Sequence, residues 1–337
     1  MNILVTGGLG YIGSHICVEL AAAGYDAVIV DDCSNASPRV LNRLSEITGK
    51  TFPFYKDNVL DEAALERIFT EQSIDAVIHL AALKSAPEST KKPLAYYTNN
   101  VVGTLTLLRV MERHGVRRMV YSSSACVYGG VTEMPVREDA PVLAINPYGE
   151  SKLMCERVLS DLCRTDERWS ALLLRYFNPI GAHESGLIGE DPRGVPGNVA
   201  PRILRVLTGQ DAYFTLTGDD FPTPDGTGIR DYLHVVDLAR GHVSAVQHAM
   251  ENAGVLTLNL GTGHGVSVLE MVHAFERAAG IPVPYRVFPR RPGDAAESVA
   301  CADLAYKTLG WQTVYDLDDM CRDAWRWQKN NPHGYED

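Results

Sequence analysis

The chain has 337 residues, 45% hydrophobic and 22% charged, a balance that suits a globular fold and gives no case for disorder or a fibre. Its 31 basic and 42 acidic residues leave a formal charge of −11, and the basic ones occur singly or in pairs such as Arg290–Arg291, so a nucleic-acid partner is not expected. No apolar run approaches the roughly 20 residues of a membrane span, and seven cysteines without a CxxC pair read as reduced thiols of a cytoplasmic protein.

In chain order, NILVT reads as a strand that runs straight into glycines, with no basic region before it to make a signal peptide. TGGLGYIG then places Gly7, Gly10 and Gly13 in a GxxGxxG pattern that opens the helix YIGSHICVELAAAG. The following strand, DAVIVDD, ends on Asp31–Asp32, with Asp31 18 residues beyond Gly13. Glycines let the backbone approach a pyrophosphate, which the free N–H groups and the positive end of the helix dipole stabilise. Asp31 would accept hydrogen bonds from ribose hydroxyls, and a carboxylate there repels a 2′-phosphate, so NAD is expected rather than NADP. A glycine turn that only packs helix on strand would use the same residues, but not the acidic pair at that distance.

Further apolar runs, AVIHLAA and RRMVYSSSA, alternate with the helix-like TNNVVGTLTLLRVMERHG. Strand and helix in alternation predict an α/β fold with a doubly wound parallel (Rossmann) sheet. Ser124 stands at the end of the YSSSA strand, where such sheets present ligands. Next, NPYGESKLMCE puts Tyr148 and Lys152 four apart on one helix face, behind Asn146 and Pro147 as a helix start. An ammonium near a phenol stabilises the phenolate, which makes Tyr148 a candidate general base. A buried aromatic beside a snorkelling lysine would show the same spacing; the glycine turn and Ser124 upstream favour catalysis.

After about Asn178 the Gly/Pro-rich GAHESGLIGEDPRGVPGN opens a smaller C-terminal lobe. Residues 1–178 are assigned to the first domain and 179–337 to the second, with VLTLNLGT at 255–262 expected to return to the first sheet as a strand. The ten histidines show no HExxH or paired ligand spacing, so no metal is expected.

These motifs resemble the extended short-chain dehydrogenase/reductases, and over essentially the whole chain the branch that epimerises UDP-hexoses. VIHLAALKSAPEST, SSSACVYGG, LRYFNPIGAHESGLIGEDP and DGTGIRDYLHVVDLARGHV carry the likeness. It implies reversible 4-epimerisation of UDP-glucose and UDP-galactose through a 4-keto sugar with tightly held NAD. Tyr148 would take the 4′ proton, Ser124 assist, and Lys152 bind the nicotinamide ribose and lower the tyrosine pKa. It adds cofactor contacts at Tyr11, Ile12, Asn35, Asp57, Asn58, Leu80, Ala81, Lys84, Asn99, Ser122 and Phe177. It gives substrate contacts at Asn178, Asn198, Val199, Arg230, Tyr232, Arg291 and Asp294, with the arginines on the diphosphate. A homodimer is also implied. Some members carry a bulky tyrosine where this chain has Ser298, so the pocket would also admit the 2-acetamido group of UDP-GlcNAc and UDP-GalNAc; a packing change on a loop is the other reading. A 4,6-dehydratase would need an acid pair where Ala125 and Cys126 stand, and a dinucleotide-sensing protein would not need Tyr148 and Lys152.

Overall fold

A computed structural model describes residues Met1 to Tyr335 apart from Val195 and Pro292, and the last two positions of the expected second domain lie outside the described residues. The strands are β1 (Asn2–Thr6), β2 (Asp26–Val30), β3 (Phe54–Tyr55), β4 (Ile74–His79), β5 (Arg118–Ser122), β6 (Ser170–Tyr176), β7 (Asn178–Ile180), β8 (Phe214–Thr217), β9 (Ile229–His234), β10 (Gly254–Leu260), β11 (Gly265–Ser267), β12 (Tyr285–Phe288) and β13 (Glu297–Ser298).

Seven of them form one parallel sheet in the order β10-β6-β5-β4-β1-β2-β3. β1, β2, β4, β5 and β6 are short apolar runs buried along almost their whole length, as a sheet covered on both faces requires, while the edge strands β3 and β10 are only partly buried. From β1 the chain winds outward through β2 and β3, then crosses back to β4 and winds the other way. The reversal lies between β1 and β4, and the crevice beyond their C-terminal ends is where an open α/β sheet takes its ligands. One apolar layer, with Ile16, Leu20, Leu44 and Val246, covers one face of the sheet; another, with Leu65, Leu107, Leu159 and Trp169, covers the other.

The first lobe is not continuous in sequence. β10 returns from beyond residue 250 to pair with β6 along its full length, Gly254 against Ser170 through Leu260 against Tyr176. The 178/179 division falls inside β7, which pairs with β9 in the second sheet, Asn178 against Tyr232. That sheet (β11-β9-β13, with β7 on β9) and the pair β12-β8 build the smaller lobe around Ile203, Leu216, Met271 and Phe275. Helix starts are set locally. The Asn146 side chain accepts from Gly149 N at 2.9 Å with Pro147 next, and Ser267/Glu270 and Asp316/Asp319 form capping boxes. Among the described residues, no helix is long and apolar enough to cross a membrane.

Candidate active site

One cavity of about 870 Å³ opens at the reversal and runs from the glycine turn across the sheet edge into the smaller lobe. At its first end the turn after β1 is shaped by space. Gly7 has φ +70°, and a Cβ on Gly13 would lie 2.3 Å from Gly7 O and 2.7 Å from Gly8 Cα. Only glycine lets helix Tyr11–Ala22 start this close to the turn, which leaves its first N–H groups facing the cavity. Asp31 follows β2, its carboxylate accepting from Cys33 N at 2.8 Å and Leu9 N at 3.1 Å. Burial holds its pKa above the usual carboxylate range in spite of those bonds. Asp32 takes the Asn58 amide at 2.7 Å, so the two acids and Asn58 fix one rim, with Asn35 and Asp57 beside them. This cradle and its acidic rim fit a dinucleotide without a 2′-phosphate.

Leu80 and Ala81 follow β4, and both N–H groups are held by the Thr6 hydroxyl, at 3.1 and 3.2 Å. Opposite them the helix after Tyr96 widens to a π turn over Tyr97–Val102, which brings Asn99 to the cavity and turns Asn100 inward. Asn100 bonds Leu83 O at 3.0 Å and the Ser151 hydroxyl at 2.9 Å, tying helix Pro147–Thr165 to this loop.

The three candidate catalytic side chains meet at the C-terminal end of β5. Ser124 starts a single helical turn, Ala125–Tyr128, its hydroxyl accepting from Cys126 N at 3.2 Å. Tyr148 and Lys152 come from the first turns of helix Pro147–Thr165, with Tyr148 9% and Lys152 3% exposed, so neither ring nor ammonium is bathed by water. Burial pushes the Tyr148 phenol up, Cys126 and Tyr176 add to this, and a hydrogen bond with Ser124 works the other way. Lys152 is brought down to about 8 by burial, against the opposing charges of Cys155 and Glu156. The expected lowering of Tyr148 by Lys152 is not what this arrangement gives. The ammonium donates to the Ser122 carbonyl at 2.6 Å and lies 5.0 Å from the centre of the Tyr121 ring, so burial dominates the phenol.

In the smaller lobe the cavity is lined by Phe177, Asn178, Asn198, Val199, Arg230, Tyr232, Arg291 and Asp294. Asn178 bonds Asp231 O at 3.1 Å, and Arg230 NH1 bonds Ile229 O at 2.7 Å, both in the β7-β9 pair. Arg291 pairs with Asp294 at 3.3 Å, and burial raises the Tyr232 phenol to about 12. Ser298 does not border the cavity; it lies on β13 as the register partner of Arg230.

Sequence reasoning missed several lining residues. Glu190 stands between Lys84 (3.7 Å) and the Asn198 amide (3.3 Å), with its carboxyl raised by burial. Phe214, Thr215 and Thr217 come from β8, which the strand-like FTLT could have flagged. His333 and Tyr335 reach the cavity from the C-terminal end, where Tyr335 N donates to Asp191 at 3.0 Å. Among the described residues no cluster of three or more His, Cys, Asp or Glu could hold a metal.

A profile of the NAD dependent epimerase/dehydratase family matches residues 3–261. A Bacillus subtilis UDP-glucose 4-epimerase is 52% identical over 336 residues, covering all of this chain and 99% of that protein. The crystal structure of a Bifidobacterium longum UDP-glucose 4-epimerase in complex with NAD+ and UDP is 50% identical with a TM-score of 0.96, covering 99% of this chain and all of that one. That of a Stenotrophomonas maltophila UDP-glucose 4-epimerase, with NAD and formylated UDP-arabinopyranose, is 49% identical with a TM-score of 0.97, covering 98% and 99%.

Proposed function

The chain belongs to the NAD dependent epimerase/dehydratase family, and on that footing we propose how its cavity divides the work among Tyr148, Ser124, Lys152 and the two arginines. The reaction is the reversible 4-epimerisation of UDP-glucose and UDP-galactose, with NAD as the cofactor. The glycine turn would hold NAD, which would supply the hydride acceptor and donor for sugar C4. The observation that carries the division of roles is the single cavity, in which the glycine cradle, the Ser124–Tyr148–Lys152 cluster and Arg230 and Arg291 follow one another without a barrier.

Gly7, Gly10, Tyr11, Ile12 and Gly13 hold the cofactor pyrophosphate, Asp31, Asp32, Asn35, Asp57 and Asn58 its adenosine, and Leu80, Ala81, Lys84, Asn99, Ser122 and Phe177 the remainder. Tyr148 takes the proton of the 4′-hydroxyl and gives it back on the other face, and Ser124 shares that hydrogen bond. As a base Tyr148 acts as its phenolate, which burial disfavours and the hydrogen bond with Ser124 favours, while Lys152, anchored on the Ser122 carbonyl, binds the nicotinamide ribose. Arg230 and Arg291 grip the diphosphate, while Asn178, Asn198, Val199, Tyr232 and Asp294 fix the nucleotide and order the sugar. Anchored at that end, the 4-keto sugar turns to present its other face. Ser298 lies outside the cavity wall as the register partner of Arg230, so the expected room for the 2-acetamido group of UDP-GlcNAc and UDP-GalNAc finds no support at that position. A 4,6-dehydration is disfavoured because Ala125 and Cys126 offer no carboxyl group beside Ser124. Two copies associate through Leu94, Val102 and Met154, apolar and exposed on neighbouring helices, and the enzyme works in the cytoplasm.

Tyr148→Phe tests the central role. Turnover of UDP-galactose should fall by about 10² to 10⁴-fold, the range for a lost general base, with UDP binding nearly unchanged. Turnover close to that of the parent would remove Tyr148 from the chemistry.

A further inference from the structure

The face that carries Tyr148 and Lys152 continues one turn on to Glu156, which is 3% exposed and has no place in the roles above. Its carboxylate is gripped by the Arg175 fork from β6, Nε to Oε1 at 2.9 Å and NH2 to Oε2 at 2.6 Å. It also accepts a short hydrogen bond from the fully buried Ser123 hydroxyl. The third guanidinium nitrogen bonds Tyr128 OH at 3.2 Å and Glu138 O at 3.1 Å, with the cation 4.9 Å from the centre of the Tyr128 ring. Tyr128 OH in turn donates to Asn259 on β10 at 2.6 Å, and Asn259 Nδ2 to Val136 O at 2.9 Å.

These bonds converge on three successive serines. Lys152 holds the carbonyl of Ser122 and Glu156 holds the hydroxyl of Ser123, which turns Ser123 away while Ser122 and Ser124 on either side line the cavity. The turn Ala125–Tyr128 is pinned at its first residue by the Ser124 cap and at its last by Arg175 and Asn259. A desolvated ion pair adds little net stability by itself, so its retention at this point calls for another reason. We propose that Ser123, Glu156 and Arg175 form a positioning unit that sets Ser124 against Tyr148 for the epimerisation. The inference rests on the reading of Tyr148, Ser124 and Lys152 given above.

The charge effect has a definite sign. The titratable groups facing Lys152 are Cys155 and Glu156 on its own helix, Tyr121 on β5 and His79 on β4. Of these, Cys155 first and then Glu156 work to raise the ammonium against burial, and Glu156 is the one whose carboxylate Arg175 and Ser123 hold. Removing its charge should therefore let Lys152 lose its proton at lower pH.

The test compares Ser123→Ala, Glu156→Gln and the double variant Glu156→Gln/Arg175→Met, with Tyr148→Phe alongside. Each is assayed for kcat, KM for UDP-galactose and the pH profile of kcat. Glu156→Gln alone leaves a buried guanidinium unpaired and destabilises the fold, so the double variant removes both charges and Ser123→Ala leaves the pair intact. A displaced Ser124 should cost about tenfold to a hundredfold in kcat in Ser123→Ala and in the double variant, with KM unchanged. The alkaline limb should move to lower pH wherever Glu156 is replaced and stay in place in Ser123→Ala. Folded variants with the parent kcat and an unmoved alkaline limb, beside an inactive Tyr148→Phe, would overturn the positioning role. An active Tyr148→Phe would instead overturn the reading beneath it.

Discussion

Gly13 offers the sharpest test of the cofactor cradle, because what matters there is space and not backbone freedom. The methyl group of Gly13→Ala would sit 2.3 Å from Gly7 O, 2.7 Å from Gly8 Cα and 3.0 Å from Gly8 C, all backbone atoms with no rotamer to yield. Relief requires the turn to move away from the start of helix Tyr11–Ala22, and overpacking of this kind costs about 1–3 kcal/mol. If the displaced turn still folds, that strain falls on the geometry that presents N–H groups to the pyrophosphate. A loss of about 1.4 kcal/mol is tenfold in affinity, so NAD should bind roughly tenfold to a hundredfold more weakly. The assays are the NAD released on denaturing the purified protein and the melting temperature. Gly130→Ala serves as the control, since a Cβ there meets nothing within 4 Å. Gly13→Ala protein that copurifies with as much NAD as Gly130→Ala and melts with it would refute the steric argument.

Two other outcomes follow from the site. Ser298→Tyr should leave the ratio of the UDP-GalNAc and UDP-galactose kcat/KM values unchanged, since Ser298 lies outside the cavity wall; a selective loss of N-acetyl activity would refute that placement. Lys152 has its folded pKa depressed to about 8 from an ordinary 10.5, so the folded state sheds its proton first. The unfolded chain then holds more protons between those values, stability rises with pH across that window, and the gain is lost as pH falls through about 8. Urea unfolding at several pH values should show this rise shrinking in Lys152→Met, and parallel curves for the two proteins would refute it.

The parts of the site that were legible in the sequence are those built by neighbours in the chain. Gly7 to Gly13, Asp31, Ser124, and Tyr148 with Lys152 each sit on one strand end or one helix turn, where spacing alone sets the geometry. The doubly wound sheet was legible for the same reason, from alternating buried runs. Glu190 and His333 were not legible, because the packing that brings them to the cavity is long-range, as with Tyr335 on Asp191; FTLT marks a strand around Thr215, but its place in the cavity wall depends on β8 pairing with β12. The sequence also pairs Lys152 with Tyr148 through helical spacing, whereas the partner it meets, the Ser122 carbonyl, depends on where β5 ends. Ser298 was placed by likeness alone, and the fold sets it on β13 against Arg230, outside the cavity wall.

The return of β10 has a consequence for how the protein is made. Ser170 and Gly254 are register partners, yet 84 positions separate them in the chain. At synthesis rates of about 5–20 residues per second, β6 waits several seconds on the ribosome with an unpaired edge before β10 is made. That edge is an apolar template, buried at six of its seven positions in the finished fold. The nascent first lobe thus depends on helix Val235–Glu251 and β10 to close it, and slow passage through residues 180–250 is the interval in which two unfinished chains can pair with each other instead of with themselves.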